Sequence, residues 1–200
     1  MLNKTLNKTL NKPSNKPSKL FFITSNKGKV EEAREFLSKL NIEIIQRDLR
    51  YPEIQSNSLE EIARYGAEYC YSKLKKPLFV EDSGLFIKSL NGFPGPYSSY
   101  VFKTIGNTGL LKLMQGIEDR EACFKSIVAY HNGERIKIFS GIVRGKIGYE
   151  ARGSFGFGFD PIFLYGAKTF AELTVEEKNK VSHRGKSLAK LARWLESVGF

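Results

Sequence analysis

The chain reads as an α/β protein with a mixed, twisted sheet and helices packed on it, and three observations predict this. Apolar runs at 20–24, 42–46 and 78–82 alternate with helical patterns near 30–40 and 58–75, the β-α-β-α-β order of an α/β core. Two β-rich runs, Cys123 to Tyr130 and Arg135 to Ile147, meet across Asn132-Gly133, a strong hairpin signal that adds antiparallel strands. The C-terminal segment returns to helix, with Leu188, Leu191, Ala192, Leu195 and Val198 on one face before Gly199.

Composition narrows the class. With 200 residues, 41% of them hydrophobic, the chain can bury one real core or two closely packed lobes. No apolar run nears the roughly 20 residues that cross a bilayer, and no apolar leader opens the sequence. Cys70 and Cys123, without a CxxC spacing or clustered histidines, read as free thiols in a cytoplasmic setting. Of the net charge of +11, five units are the lysines of residues 1–19, a stretch without an acid, which leaves +6 for the remainder. That surplus suits a polyanion of any size, a nucleoside triphosphate included.

Residues 2–17 repeat a four-residue unit, LNKT, LNKT, LNKP, then SNKP, with almost nothing to bury. The segment 1–19 is expected to be a disordered tail, and 20–200 a single domain.

Leu20–Thr24 is a candidate buried strand, followed by Ser25-Asn26-Lys27-Gly28-Lys29 and a helix with Val30, Ala33, Leu37 and Leu40 on one face. A strand, a polar glycine-containing loop and a helix start form a phosphate-handling arrangement, since the first turn offers unpaired N–H groups and partial positive charge. The spacing is not that of a Walker A loop, and on the bare motif alone a plain connection with solvated lysines is the favoured reading. Glu53, beside Pro52 in an extended stretch, is either a surface acid or one carboxylate of a hard-cation site. In 58–75, Leu59, Ile62, Ala63, Tyr69, Cys70 and Leu74 form the expected inner face. Pro77 to Leu85 then runs an apolar strand straight into Glu81 and Asp82. Because buried charges must be paired, the two acids are expected at the strand's end, on the rim of a cleft. Successive side chains alternate faces, so one of the two aims into the site.

Asn91 to Ser99 is turn-rich, and one or two helices are expected over 99–115, broken near Gly106. The hairpin forms a long ribbon, an outlying lobe or an oligomer surface. Phe155-Gly156-Phe157-Gly158-Phe159-Asp160 alternates rings and glycines. In a core this wastes packing area, whereas in a site it lets a flat base slide against a ring. Thr174 and Glu177 form a capping box for a short helix carrying Lys178, and Ser182 caps the last helix. His183 and Arg184 then stand at a helix N-terminus, where the dipole disfavours cations, a placement that makes sense beside an anion or a carbonyl-rich ligand.

Five segments in order, FITSNKGK at 22–29, YPEIQ at 51–55, VEDSGL at 80–85, FGFGFDPIF at 155–163 and EKNKVSHRGKSL at 177–188, resemble the Ham1 family, the inosine triphosphate pyrophosphatases. FPGPYS at 93–98 is similar as well, in a form closest to archaeal members. The resemblance runs from about Leu20 to Trp194 and implies two lobes with a central cleft, usually a homodimer. It implies hydrolysis of aberrant purine nucleoside triphosphates (ITP, dITP, XTP) to monophosphate and pyrophosphate, with Mg²⁺ as cofactor. Carried over by position, Thr24 to Lys29 (Thr24, Ser25, Asn26, Lys27, Gly28, Lys29) would hold the triphosphate. Glu53 and Asp82 would serve the metal, with Asp82 also the general base, and Ser83 would touch substrate. Phe157 would stack on the base beside Gly158, Phe159 and Asp160, and Lys178, His183 and Arg184 would complete the contacts. Phe159 stands where many relatives have Tyr or Trp, and Tyr100 where bacterial ones have Arg. A Maf-like pyrophosphatase of modified pyrimidine nucleotides is the alternative enzyme. A basic nucleic-acid-binding module is the other class, set back by carboxylates in the expected groove.

Overall fold

The computed structural model describes residues 18–200. In chain order β1 is Ser18–Ile23, α1 Lys27–Leu37, β2 Ile42–Arg47, α2 Leu59–Leu74 and β3 Leu78–Ile87. After these come β4 (Pro94–Gly95), α3 (Ser98–Thr104), α4 (Gly106–Leu113), β5 (Glu121–His131) and β6 (Ile136–Ile147). The last elements are β7 (Phe163–Tyr165), β8 (Lys168–Thr169), α5 (Val175–Val181) and α6 (His183–Ser197). The strands form one sheet in the order β2-β1-β3-β5-β6-β7-β8, with β4 added to β3. β1 is parallel to β2 and β3, and the remaining pairs are antiparallel.

The two-residue alternation of β1 sorts the cores. Leu20 and Phe22 point to the face covered by α1 and α6, where Phe22 stacks on Phe79 at 4.2 Å. Phe21 and Ile23 point to the other face, against Ala63, Ala67 and Cys70 of α2. A third cluster, around Leu85, Phe124, Phe163 and Phe170, fills the antiparallel half under α3 and α4. Two lobes result, joined by β3. On α2 the buried stripe includes Gly66 and Ala67, while Tyr69 and Leu74 are only partly covered.

Three expectations need correction. β1 starts at Ser18, so Ser18 and Lys19 pair with Ile42 and Glu43 in the sheet rather than belonging to the tail; residues 1–17 lie outside the described residues. β3 does not end at Glu81 and Asp82 but continues to Ile87, because β5 pairs with it all the way from Leu78 to Ile87. The β5–β6 ribbon is no outlying lobe, since that pairing makes it the centre of the sheet. The cysteines are free, and no helix of the described residues is long and apolar enough to cross a membrane.

Candidate active site

The cleft forms where the sheet opens. One edge of β3 pairs with β1 only at Leu78, Phe79 and Val80, and with β4 only at Leu85 and Phe86. Between these neighbours the stretch Glu81, Asp82, Ser83 and Gly84 borders a cleft of about 930 Å³. The loop leaving the C-terminal end of β1 borders the same opening, the place where open α/β sheets offer ligands a crevice.

That loop is built by its own side chains. Thr24 Oγ1 accepts from Asn26 N at 3.1 Å, and Asn26 Oδ1 caps α1 by accepting from Lys29 N at 3.2 Å, a cap worth about 1 kcal/mol. The amides of Ser25, Lys27 and Gly28 have no hydrogen-bond partner among the described residues. Thr24, Ser25, Asn26 and Lys29 line the cleft; the Lys27 and Gly28 side positions do not.

Behind the loop runs a buried chain of alternating charge. Lys29 Nζ pairs with Glu81 Oε2 at 2.7 Å, and Arg184 Nε with Glu81 Oε1 at 3.1 Å. Arg184 Nη1 donates to Glu32 Oε2 at 2.7 Å, and Lys178 Nζ donates to Glu32 Oε1 at 3.2 Å and Asp160 Oδ2 at 2.7 Å. Three cations and three carboxylates thus alternate from the β1–α1 loop to the 155–160 loop. Burial alone would lift the Glu81 carboxyl, but Arg184 and Lys29 hold it well below the usual range. Burial also works against Glu32 ionisation, and Arg184 and Lys178 overcome it. At Asp160 burial outweighs Lys178, and the carboxyl lies above its ordinary value.

Of the two cations expected at the start of α6, beside an anion or a carbonyl-rich ligand, only Arg184 is charged, and the anions next to it are the protein's own. Arg184 is neutralised inside the protein by Glu32 and Glu81. His183, stacked on Phe124 at 4.7 Å, is pushed by burial well below its ordinary pKa and is neutral. Both still line the cleft, and Arg184 Nη2 donates to Ser83 Oγ at 3.1 Å.

Asp82 differs from its neighbour. Its Oδ1 accepts only the amide of Ser83, at 3.0 Å, and it has no ion-pair partner among the described residues. Burial raises its pKa to about 6; Lys29 opposes this, and Glu81 and Glu53 add to it. Glu53 lies in the same cleft and is likewise without an ion pair. The two supply hard oxygen donors, which fits a cation that takes one or two carboxylates and completes its shell from phosphates.

On the opposite wall, Phe157 lies with its ring edge 3.1 Å from where a Cβ on Gly28 would stand, so Gly28 is kept bare by the ring. Lys178 Nζ and Arg184 Cζ sit 4.9 and 5.3 Å from the ring centroid. Gly156 and Gly158, with φ of +75° and +66°, turn the backbone around it, and the Phe157 amide donates to Asp160 Oδ2 at 2.8 Å. Gly158, Phe159, Asp160 and Lys178 also line the cleft, although Phe159 is mostly core, edge-on to Phe102.

Sequence reasoning missed Glu32, Tyr51, Phe124 and the α3 residue Lys103, and noted Tyr100 only as a departure from bacterial relatives. For Glu32 the available signal was its place in an apolar helical pattern between Val30 and Ala33. Five cationic and five carboxylate side chains line the cleft, so the net charge of the chain is not focused there. A smaller groove of about 390 Å³ lies between β6 and α6. There Lys186 and Lys190 donate to the carbonyls of Ile142 and Ser140, covering a sheet edge.

Known proteins resemble this chain over most of its length. A dITP/XTP pyrophosphatase of Thermococcus kodakarensis is 54% identical over 180 residues, covering 89% of this chain and 97% of that protein. One from Methanopyrus kandleri is 56% identical over 182 residues, covering 90% and 97%. Among solved structures, the Staphylococcus aureus Ham1 protein superposes with a TM-score of 0.80 at 30% identity, covering 90% of this chain and all of that one. A HAM1 protein from Coxiella burnetii gives 0.80 at 31%, covering 90% and 99%. The model of the Ham1 family matches residues 20–194, the whole span that builds the cleft, and the chain belongs to that family.

Proposed function

We propose that this protein hydrolyses aberrant purine nucleoside triphosphates (ITP, dITP and XTP) to the monophosphate and pyrophosphate, with Mg²⁺ as cofactor. The observation that carries the reading is Asp82, a cleft-facing carboxylate without a cation, held beside Glu53 and next to a loop with unpaired amides. The names of the archaeal relatives, dITP/XTP pyrophosphatase, point the same way.

In this reading the free amides of Ser25, Lys27 and Gly28, together with Lys29, hold the phosphates, and Thr24 and Asn26 keep the loop in shape. Asp82, with a pKa raised to about 6, orients a water and takes its proton as the oxygen attacks the α-phosphorus. The α–β anhydride bond breaks and pyrophosphate leaves with the electron pair. Glu53 and Asp82 would hold Mg²⁺, which when bound supplies the charge neutralisation that a cleft with balanced charge lacks. Ser83 touches substrate next to Arg184. Phe157 stacks on the base beside Gly158, Phe159 and Asp160, with Lys178 beneath its ring. Hypoxanthine offers an O6 acceptor and an N1–H donor, and adenine the reverse. Donors from Arg184 or His183 would be left unpaired against ATP, which discriminates strongly. A homodimer and a cytoplasmic setting complete the reading, and the dimer is checked by light scattering.

The test is a nucleotide panel with and without Mg²⁺, reading pyrophosphate. Release from ITP, dITP and XTP far above ATP, GTP and modified pyrimidine nucleotides, and only with the metal, is expected. Orthophosphate alone, or equal turnover of ATP, would sink the proposal.

A further inference from the structure

The segment that carries Glu53 is held in an unusual way. Among the described residues, none of Tyr51, Pro52, Glu53, Ile54 and Gln55 makes a hydrogen bond, backbone or side chain. Ties exist only outside it, where Arg50 N donates to Asp48 Oδ1 and Ser56 Oγ to Glu61 Oε2. What anchors the segment is packing. The Tyr51 ring lies on α2 over Gly66, where an added Cβ would stand 2.7 Å from Cε2 and 2.9 Å from Cζ, and the ring joins the cluster of Ala63, Ala67 and Cys70.

Glycine in a helix interior is destabilising, and Gly66 sits mid-way along the sixteen-residue α2 with no positive φ to explain it. The space it leaves is filled by the Tyr51 ring. From that ring to Glu53 the chain has little freedom. Pro52 fixes its own φ and restricts Tyr51, the residue before it, to extended conformations.

We propose that Gly66 and Tyr51 are positioning residues for Glu53: the glycine slot on α2 seats the ring, and the seated ring sets Glu53 opposite Asp82 for the metal. The inference rests on the reading of Glu53 as a metal ligand. In this proposal both residues act through Glu53: Gly66 does not line the cleft, and the ring atoms Cε2 and Cζ of Tyr51 make the closest approach to the slot.

The test uses Mn²⁺ as a spectroscopic probe, with binding to the full chain followed by electron paramagnetic resonance, alongside the Mg²⁺ concentration for half-maximal rate. Gly66→Ala and Tyr51→Ala should each weaken Mn²⁺ binding about tenfold or more, the scale of losing a residue that orients a metal ligand. Both should raise the Mg²⁺ requirement and leave the KM for ITP at saturating metal near wild type. Tyr51→Phe, which keeps the ring, should bind Mn²⁺ like wild type. Glu53→Gln separates the two levels. If it leaves Mn²⁺ binding and Mg²⁺ requirement unchanged, the ligand reading fails. If it weakens both while Tyr51→Ala and Gly66→Ala do not, the seat alone is overturned. Should Gly66→Ala not fold, the contrast between Tyr51→Ala and Tyr51→Phe decides, and equal Mn²⁺ affinity of those two refutes the proposal.

Discussion

Glu81 and Asp82 are neighbours on β3, yet their carboxylates live in opposite electrostatic worlds. Glu81 is fully buried on the α6 side, clasped by Lys29, Arg184 and Ser126. Asp82 shares the α2 side with Val80, faces the cleft and has only one amide for company. The pleat of a strand separates the two by a single residue.

This separation predicts opposite phenotypes. Asp82→Asn should abolish pyrophosphate release and leave a folded, thermally more stable protein, because it removes a carboxylate that burial penalises. Glu81→Gln should cost about 3–5 kcal/mol of stability, the scale of leaving buried cations without their acid. Thermal melts and a turnover assay on both variants check the pair. An Asp82→Asn enzyme at wild-type rate would remove Asp82 from the chemistry.

The raised pKa of Asp82 also fixes a pH dependence. As a base it must be deprotonated, so kcat/KM at low Mg²⁺ should rise with pH through about 6 and then level off. For stability the sign is reversed. Between the ordinary carboxylate value and about 6 the folded protein binds more protons at Asp82 than the unfolded chain does, so stability from this group is lost as pH rises through that window. The Tm advantage of Asp82→Asn should therefore be small at about pH 4 and grow until past pH 6. A constant difference across the range would contradict the assignment.

Most of the fold was legible because local signals agreed. The Thr174–Glu177 capping box and the Ser182 cap stand where sequence put them, as do the break at Gly106 and the Asn132-Gly133 turn. The length of β3 was not legible. Glu-Asp-Ser-Gly is poor strand sequence, and it continues as strand only because β5 pairs with it and Lys29 and Arg184 arrive from elsewhere. The same long-range pairing hid Glu32, whose partners lie about 150 residues away. His183 illustrates the third limit, since its charge state follows from burial against Phe124, which no spacing reveals.

Phe157 gives a prediction about binding. If its ring stacks on a base, Phe157→Ala should weaken ITP binding by about 1–3 kcal/mol, and Phe157→Trp should retain most of it. Isothermal titration with inactive Asp82→Asn as background measures both without turnover. Unchanged affinity in the alanine variant would deny the ring a stacking role.

Glu32 provides the sharpest test of the buried charges, because it does not line the cleft yet pairs with two residues that do. Removing its charge leaves Arg184 leaning on Glu81 alone and Lys178 on Asp160 alone, both out of water. Glu32→Gln should therefore lower stability by about 3–5 kcal/mol and raise the KM for ITP. The second effect follows from geometry. Lys178 underlies the Phe157 ring, and Asp160 holds the amide of the same residue. A slackened Lys178 would let that loop drift while the Asn26-capped loop, against which the ring packs at Gly28, stays in place. Pairing Glu32→Gln with Lys178→Met measures whether the two act as one unit. Coupling of about 0.5–3 kcal/mol in denaturant melts is expected for residues in one network, and simple additivity would show that the chain of charges is only a row of independent pairs.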